Sequence, residues 1–220
     1  MNLNSNLVHY QRLHRRIADR TIQSILNEVT QMSIAAEVPI VPVEVAGLLF
    51  TVARLASPRR VVEMGTGFGY STLLLALASV ESHIVTIEND ADCVRVAQSL
   101  FVRAEINDRV SVVHGNAIST LQTISGVFDF AFLDASKEEY LNYLLLLLPR
   151  LSEGATIVAD DVFFTGDVPG KPLPDPVREK IVNELENFRA FLSEKPYLLT
   201  SFLPIGCGMS VTVLTKHPRL

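Results

Sequence analysis

Between residues 60 and 160 the chain alternates short β-branched runs with helix-like stretches, and this rhythm constrains the fold more than any other feature. The runs are Arg60–Met64, His83–Glu88, Val110–His114, Phe128–Asp134 and Ala155–Asp160. Between them lie Ser71–Ser79, Asp90–Ala104, Ala117–Ile124 and Glu138–Leu148, which have helical length and spacing. Several runs are apolar throughout, as strands buried on both faces must be, so the pattern predicts a parallel sheet with helices on each side. After a loop with Pro169, Pro172, Pro174 and Pro176, a helix over Val177–Leu192 leads into Tyr197–Leu203 and Met209–Lys216. The tight Pro204–Gly208 turn between these last two runs predicts an antiparallel terminal hairpin. Upstream, Leu13, Ile17, Ile22, Ile25, Leu26 and Val29 give residues 7–35 a helical spacing, and residues 43–56 form a second apolar helix after the Pro39/Pro42 break.

Composition narrows the functional classes. A chain of 220 residues, 48% of them hydrophobic, is long enough for one domain with a full core. We expect a single domain over 1–220, with a helical cap at 1–58 and an α/β core at 59–220. Only Cys93 and Cys207 are present, in no metal-binding spacing, which excludes a disulfide framework and a structural zinc cluster. No leader-like or membrane-spanning apolar run occurs, so a soluble, cytoplasmic protein is expected. The balance of 19 basic against 24 acidic residues, net −5, argues against a broad nucleic-acid-binding face. Arg12, Arg15, Arg16 and Arg20 do cluster, as a solvated helix face or as phosphate contacts.

The first strand runs into VVEMGTGFGYSTLLLALA, residues 61–78. Gly65, Gly67 and Gly69 permit a sharp turn and close backbone approach to a ligand, and a helix opening near Ser71 offers N–H groups to an anion. The spacing is not that of a dinucleotide fingerprint, because Tyr70 stands where its last glycine belongs. Glu63, just before the loop, would repel a pyrophosphate but suits an ammonium group. A zwitterionic amino acid joined to a nucleoside fits both ends, as in S-adenosylmethionine. Glu88 closes the second strand, where a carboxylate can hold ribose hydroxyls; its plain alternative is a solvent-facing strand end. The third strand ends in HGNA, where Asn116 and the Ala117 backbone can read an adenine edge.

The next two strand ends are also acidic. LDASK puts Asp134 and Lys137 at the fourth, and ADDV puts Asp160 and Asp161 at the fifth. Three converging carboxylates call for a cation, and hard oxygen ligands suit Mg²⁺ first, with Ca²⁺ or Mn²⁺ as alternatives. The plain alternative is that Asp134 caps the following helix and the other two terminate a strand. Beside a divalent ion the Lys137 pKa would fall, so Lys137 could take a proton from a substrate oxygen; alternatively it is a surface lysine at a helix start.

These motifs together resemble the cation-dependent O-methyltransferases of the catechol and caffeoyl-CoA type, in the bacterial form. The likeness runs from about residue 38 to 216, through VPIVPVEVAGLL, EMGTGFGYSTL, IEND, HGNA, FDFAFLDASKEEYLNY, ADDVFFTGDV and LPIGCGM. It implies a class I methyltransferase Rossmann-like fold, with a seven-stranded, mostly parallel sheet. It implies that Glu63, Gly65, Ser71, Glu88 and Ala117 contact S-adenosylmethionine, beside Gly67 and Asn116 read from the loop and the third strand end, that Asp134, Asp160 and Asp161 hold the metal, and that Lys137 assists deprotonation. The expected activity, with Lys137 and Asp134 as catalytic residues, is methyl transfer to a small catechol-like acceptor with adjacent hydroxyls. Homodimers are common in the family. Two other readings stay open: a tRNA 5-hydroxyuridine methyltransferase using the N-terminal arginines, and a noncatalytic S-adenosylmethionine-binding protein. The chain departs from the family pattern at Asp161, usually Asn, at Ser136, often Asp, and at Cys207, usually Asp. Phe163 and Phe164 keep an apolar wall for a flat substrate.

Overall fold

A computed structural model describes residues 3–15, 17, 19–165 and 174–216. Arg16, Pro169, Pro172 and the end of the ADDVFFTGDV motif, residues 166–168, lie outside the described residues. The chain divides into two compact units, residues 1–116 and 117–220.

The first unit opens with helices α1 (Leu3–His14), α2 (Arg20–Ala35) and α3 (Val43–Ala56). The continuous helical spacing read over residues 7–35 is therefore two helices. Asp19 starts the second of them, its carboxylate accepting from the N–H groups of Thr21 and Ile22. Strands β1 (Arg60–Met64), β2 (His83–Glu88) and β3 (Val110–His114) alternate with α4 (Tyr70–Ala78) and α5 (Ala91–Arg103). They pair in parallel in the order β3-β2-β1, with Val62 opposite Val85 and Val85 opposite Ser111. β1 is buried from Val61 to Met64, and α4 is buried on almost every side, which is why neither shows a polar face in the sequence.

The second unit contains α6 (Ala117–Thr123), β4 (Phe128–Leu133), a 3₁₀ turn at Lys137–Glu139, α7 (Tyr140–Leu147), β5 (Leu151–Ala159), α8 (Asp175–Glu194), β6 (Leu198–Leu203) and β7 (Met209–Leu214). Its strands run in the order β4-β5-β7-β6. β4 and β5 are parallel, whereas β7 is antiparallel to both β5 and β6, so the terminal hairpin forms as expected. β5 begins four residues earlier than its apolar run, because the backbone pairs from Leu151 and the register shifts before Thr156. The core is aliphatic and aromatic, with Phe128, Phe130, Phe132, Leu144, Leu185 and Phe188 fully enclosed. No helix among the described residues is long and apolar enough to cross a membrane.

Candidate active site

The glycine loop of the first unit is fixed by its neighbours. Gly65, Gly67 and Gly69 all have positive φ, at 94°, 51° and 92°. At Gly69 the requirement is also steric, since a Cβ there would lie 2.7 Å from the Phe101 ring of α5. The VPI segment faces the same loop: a Cβ on Gly67 would come to 3.5 Å from Val38 Cγ1.

Glu88, at the end of β2, meets this loop. Its Oε2 accepts from Gly67 N at 2.8 Å and Thr66 N at 3.2 Å, and its Oε1 accepts from Asn89 N at 2.8 Å and Asp90 N at 2.9 Å. Four backbone amides thus converge on one carboxylate. Glu88 is half-buried, and its carboxylate ties the loop to the β2 terminus.

Glu63 is fully enclosed in β1, and the Thr72 hydroxyl of α4 donates to its Oε2. Ser71 is buried in the first turn of the same helix. Asn116 is exposed at the end of the first unit, while Ala117 is buried as the first residue of α6 in the second.

A buried network behind the loop has no counterpart in the sequence reading. His14 Nδ1 donates to Asn27 Oδ1 at 2.8 Å, which leaves Nε2 to accept from the Tyr70 hydroxyl at 2.9 Å. Tyr10 packs edge-on against Tyr70 and donates to the Val41 carbonyl at 2.6 Å. Burial lowers the His14 pKa, the Asn27 contact partly opposing it, and burial raises that of Tyr70. The network anchors α1 to the residue that starts α4. Only the aromatic spacing Tyr10/His14, one helical turn, hinted at it.

The acidic cluster lies in the second unit. Asp134 and Asp160 each stand one residue beyond a strand, β4 and β5, whose ends are neighbours, and one carboxylate oxygen from each of Asp134, Asp160 and Asp161 falls within a 4.8 Å set. Asp160 is only 2% exposed and accepts from Asp161 N at 2.8 Å. Asp161 takes a left-handed backbone with φ 57°. Asp134 does not cap the following turn, whose N-cap is Ser136 without a side-chain bond. Lys137 Nζ sits among these acids, 3.3 Å from Asp134 Oδ1 and 3.0 Å from Asp161 Oδ2.

The electrostatics are those of a site short of positive charge. Burial raises the Asp134 pKa to about 6, Lys137 pulling it down and Asp161 pushing it up. Burial, then Asp134 and Asp161, raise that of Asp160 to about 8. For Lys137 burial works downward, but the oxygens of Tyr140, Asp134 and Asp161 outweigh it and hold the ammonium well above its usual range. With no ion beside it the surroundings of Lys137 favour the charged form, and the fall expected beside a divalent ion would come from the charge of that ion. Three oxygen donors at this spacing, two of them carboxyls that burial resists ionising, fit a hard divalent cation.

An aromatic-walled cavity of about 270 Å³ opens next to the cluster, lined by Phe163, Phe164, Thr165, Pro204, Gly206, Cys207 and Gly208. Val162 N donates to Gly208 O at 2.9 Å and Phe163 N to Cys207 O at 2.8 Å, so the β6–β7 turn is bonded to the segment that follows Asp161. Phe163 lies so close to Gly208 that a Cβ there would be 2.2 Å from its ring. On its other side the Arg189 guanidinium stands 5.4 Å from the ring centroid and donates to the Val162 carbonyl. Arg189 and Gly208 are site-shaping residues that the sequence reading missed, because they act across 26 and 45 positions from Phe163.

Parallel strands with helices between them, a glycine turn after β1 and acids at the strand ends define a Rossmann-like class I methyltransferase fold. The chain belongs to the O-methyltransferase family, whose model matches residues 15–215 and whose members are S-adenosylmethionine-dependent enzymes. It is 38% identical over 138 residues to a catechol O-methyltransferase of Mycobacterium tuberculosis, covering 61% of this chain and 63% of that one. It is 31% identical over 174 residues to a catechol O-methyltransferase domain-containing protein of Mus musculus, covering 76% of this chain and 65% of the other. The matched segments thus span just under two thirds of those two relatives. Among solved structures, an O-methyltransferase from Bacillus cereus in complex with SAH superposes with a TM-score of 0.77 at 27% identity, covering 97% of this chain and 100% of that one.

Proposed function

We propose that this chain transfers a methyl group from S-adenosylmethionine to one hydroxyl of a small catechol-like or phenolic acceptor, with a divalent cation, Mg²⁺ first, held by Asp134, Asp160 and Asp161. The observation that carries the reading is the convergence of three carboxylates and one lysine beside an aromatic-walled cavity. The names of the relatives support the acceptor class.

Each residue has a physical role in this reading. The loop of Gly65 and Gly67, braced by Glu88, presents backbone to the cofactor, with Ser71, Asn116 and Ala117 as further contacts and Glu63 beneath. S-adenosylmethionine would supply the sulfonium methyl, and a divalent ion held by Asp134, Asp160 and Asp161 would supply Lewis acidity toward the acceptor. Phe163 and Phe164 hold a flat ring by apolar contact. With a divalent ion drawing its pKa down, Lys137 would take the proton of the reacting hydroxyl. With both reactants fixed, transfer becomes a matter of alignment and charge. The whole chain works as one methyltransferase domain in a cytoplasmic homodimer, the assembly that the family resemblance implies.

The test is methyl transfer from labelled S-adenosylmethionine to catechol with Mg²⁺, with and without chelator. We expect turnover that chelation abolishes. Chelator-insensitive turnover would sink the metal role, and cofactor binding without turnover on any phenol would favour a binding protein. Methylation of tRNA that is lost on replacing Arg12, Arg15 and Arg16, with catechol turnover unchanged, would favour the RNA substrate.

A further inference from the structure

Tyr140 is the most enclosed polar side chain near the acidic cluster. It opens α7 directly after the Lys137–Glu139 turn, and it is 0% exposed. Its ring packs edge-on against Phe188 at 5.5 Å and beside Tyr143 at 6.3 Å, so it cannot swing away without opening the core. Its hydroxyl is buried and has no hydrogen-bond partner among the described residues. Leaving a phenolic O–H unpaired in a core is costly, and such a group calls for an explanation. The charged groups that face it are Lys137, Asp134, Asp161 and Asp160, the same four that make up the cluster.

Lys137 is arranged to complement it. Its ammonium carries three N–H bonds, and two point at Asp134 Oδ1 and Asp161 Oδ2. Those two carboxylates also belong to the set that a divalent ion would claim. An ion among them competes directly with the ammonium, which must then find another acceptor without leaving the site. The Tyr140 oxygen is an acceptor already buried within the same charged group.

We propose that Tyr140 is a positioning residue that accepts a hydrogen bond from Lys137 when a divalent cation takes the Asp134 and Asp161 oxygens, keeping the ammonium beside the acceptor. The inference rests on the metal-dependent reading above. It gives Lys137 two hydrogen-bonding positions, one on the carboxylates and one on the tyrosine. It also gives the orphan hydroxyl oxygen a donor in the working state.

The test is a double-mutant cycle on Mn²⁺ binding, followed by the free-ion EPR signal, using the full chain and its Tyr140→Phe, Lys137→Met and doubly substituted forms. Tyr140→Phe removes only the hydroxyl, and a thermal melt checks that each form is folded. We expect Tyr140→Phe to weaken Mn²⁺ about tenfold, the scale of one hydrogen bond to a charged group. Lys137→Met should tighten Mn²⁺, and adding Tyr140→Phe to it should then change nothing. In turnover, Tyr140→Phe should lower kcat with KM for S-adenosylmethionine unchanged. If Tyr140→Phe leaves Mn²⁺ affinity intact, or weakens it equally with and without Lys137, the proposal is overturned. If the unsubstituted chain binds no Mn²⁺, the metal-dependent reading itself falls, and the proposal with it.

Discussion

The carboxylates of the two units are solvated in opposite ways. In the first unit Glu63 is met by a hydroxyl and Glu88 by four backbone amides, all neutral donors contributed by the fold itself. In the second, Asp134, Asp160 and Asp161 face one another, with Lys137 between two of them. The first arrangement stabilises a loop in a fixed shape. The second holds like charges together in a desolvated place, a configuration that burial opposes until a cation arrives. The same residue chemistry therefore serves preorganisation in one unit and, in the proposed function, ion capture in the other.

The contrast is broken most severely at Asp160. Replacing it with Ala should reduce turnover on the order of 10²–10³-fold, as loss of a main electrostatic stabiliser does, and remove Mn²⁺ binding by calorimetry. Unchanged Mn²⁺ affinity would mean the cluster is not the ion site. Lys137→Met should come next, lowering kcat about 10²-fold, the usual scale of a lost general base. A rate within twofold of the parent would remove Lys137 from proton transfer.

The first unit should respond in stability. Gly69→Ala places a Cβ against Phe101 at a φ of 92°, and should cost about 1–3 kcal/mol in urea unfolding. Thr72→Val strips the hydroxyl from buried Glu63 and should cost about 1–3 kcal/mol, with Mn²⁺ affinity unaltered. A shift in Mn²⁺ affinity would show the two units to be less independent than their donors suggest.

The smallest effect is on pH. Because the folded-state pKa values of Asp134 and Asp160 rise to about 6 and about 8, the native chain binds more protons than the unfolded one between their ordinary values near 4 and those limits. With chelator present, this pair therefore makes stability fall as pH rises across that window. Mn²⁺ affinity should rise with pH over about 6–8, as the ion displaces protons. Thermal melts of the parent and Asp160→Asn, from pH 5 to 8, test the sign: the parent should have the steeper decline, and equal slopes would contradict it.

Much of this was legible in the sequence. Arg60–Met64, His83–Glu88 and Val110–His114 appear with the same bounds as β1, β2 and β3, because buried parallel strands are uninterrupted apolar runs between turn residues. The acids at residues 88, 134, 160 and 161 were visible for the same reason, since a charge that closes an apolar run marks the end of a strand. What the sequence hid depends on long separations. Thr72 reaching Glu63, Tyr70 reaching His14 and Arg189 stacking on Phe163 follow from tertiary packing, with no local pattern to signal them. The orphan hydroxyl of Tyr140 was equally silent, for in KEEYLNY it reads as an ordinary core aromatic. The amide cradle around Glu88 could not be inferred either, since it arises from the conformation of a loop.

The left-handed backbone at Asp161 has an evolutionary consequence. A φ of 57° suits Asp and Asn alike, because either short polar side chain tolerates that region. Codons for the two differ by a single base, so a lineage can move between them in one step without disturbing the turn. The peptide geometry is thereby uncoupled from the ionic character of the cluster: the charge at this position can change by one unit without refolding the turn.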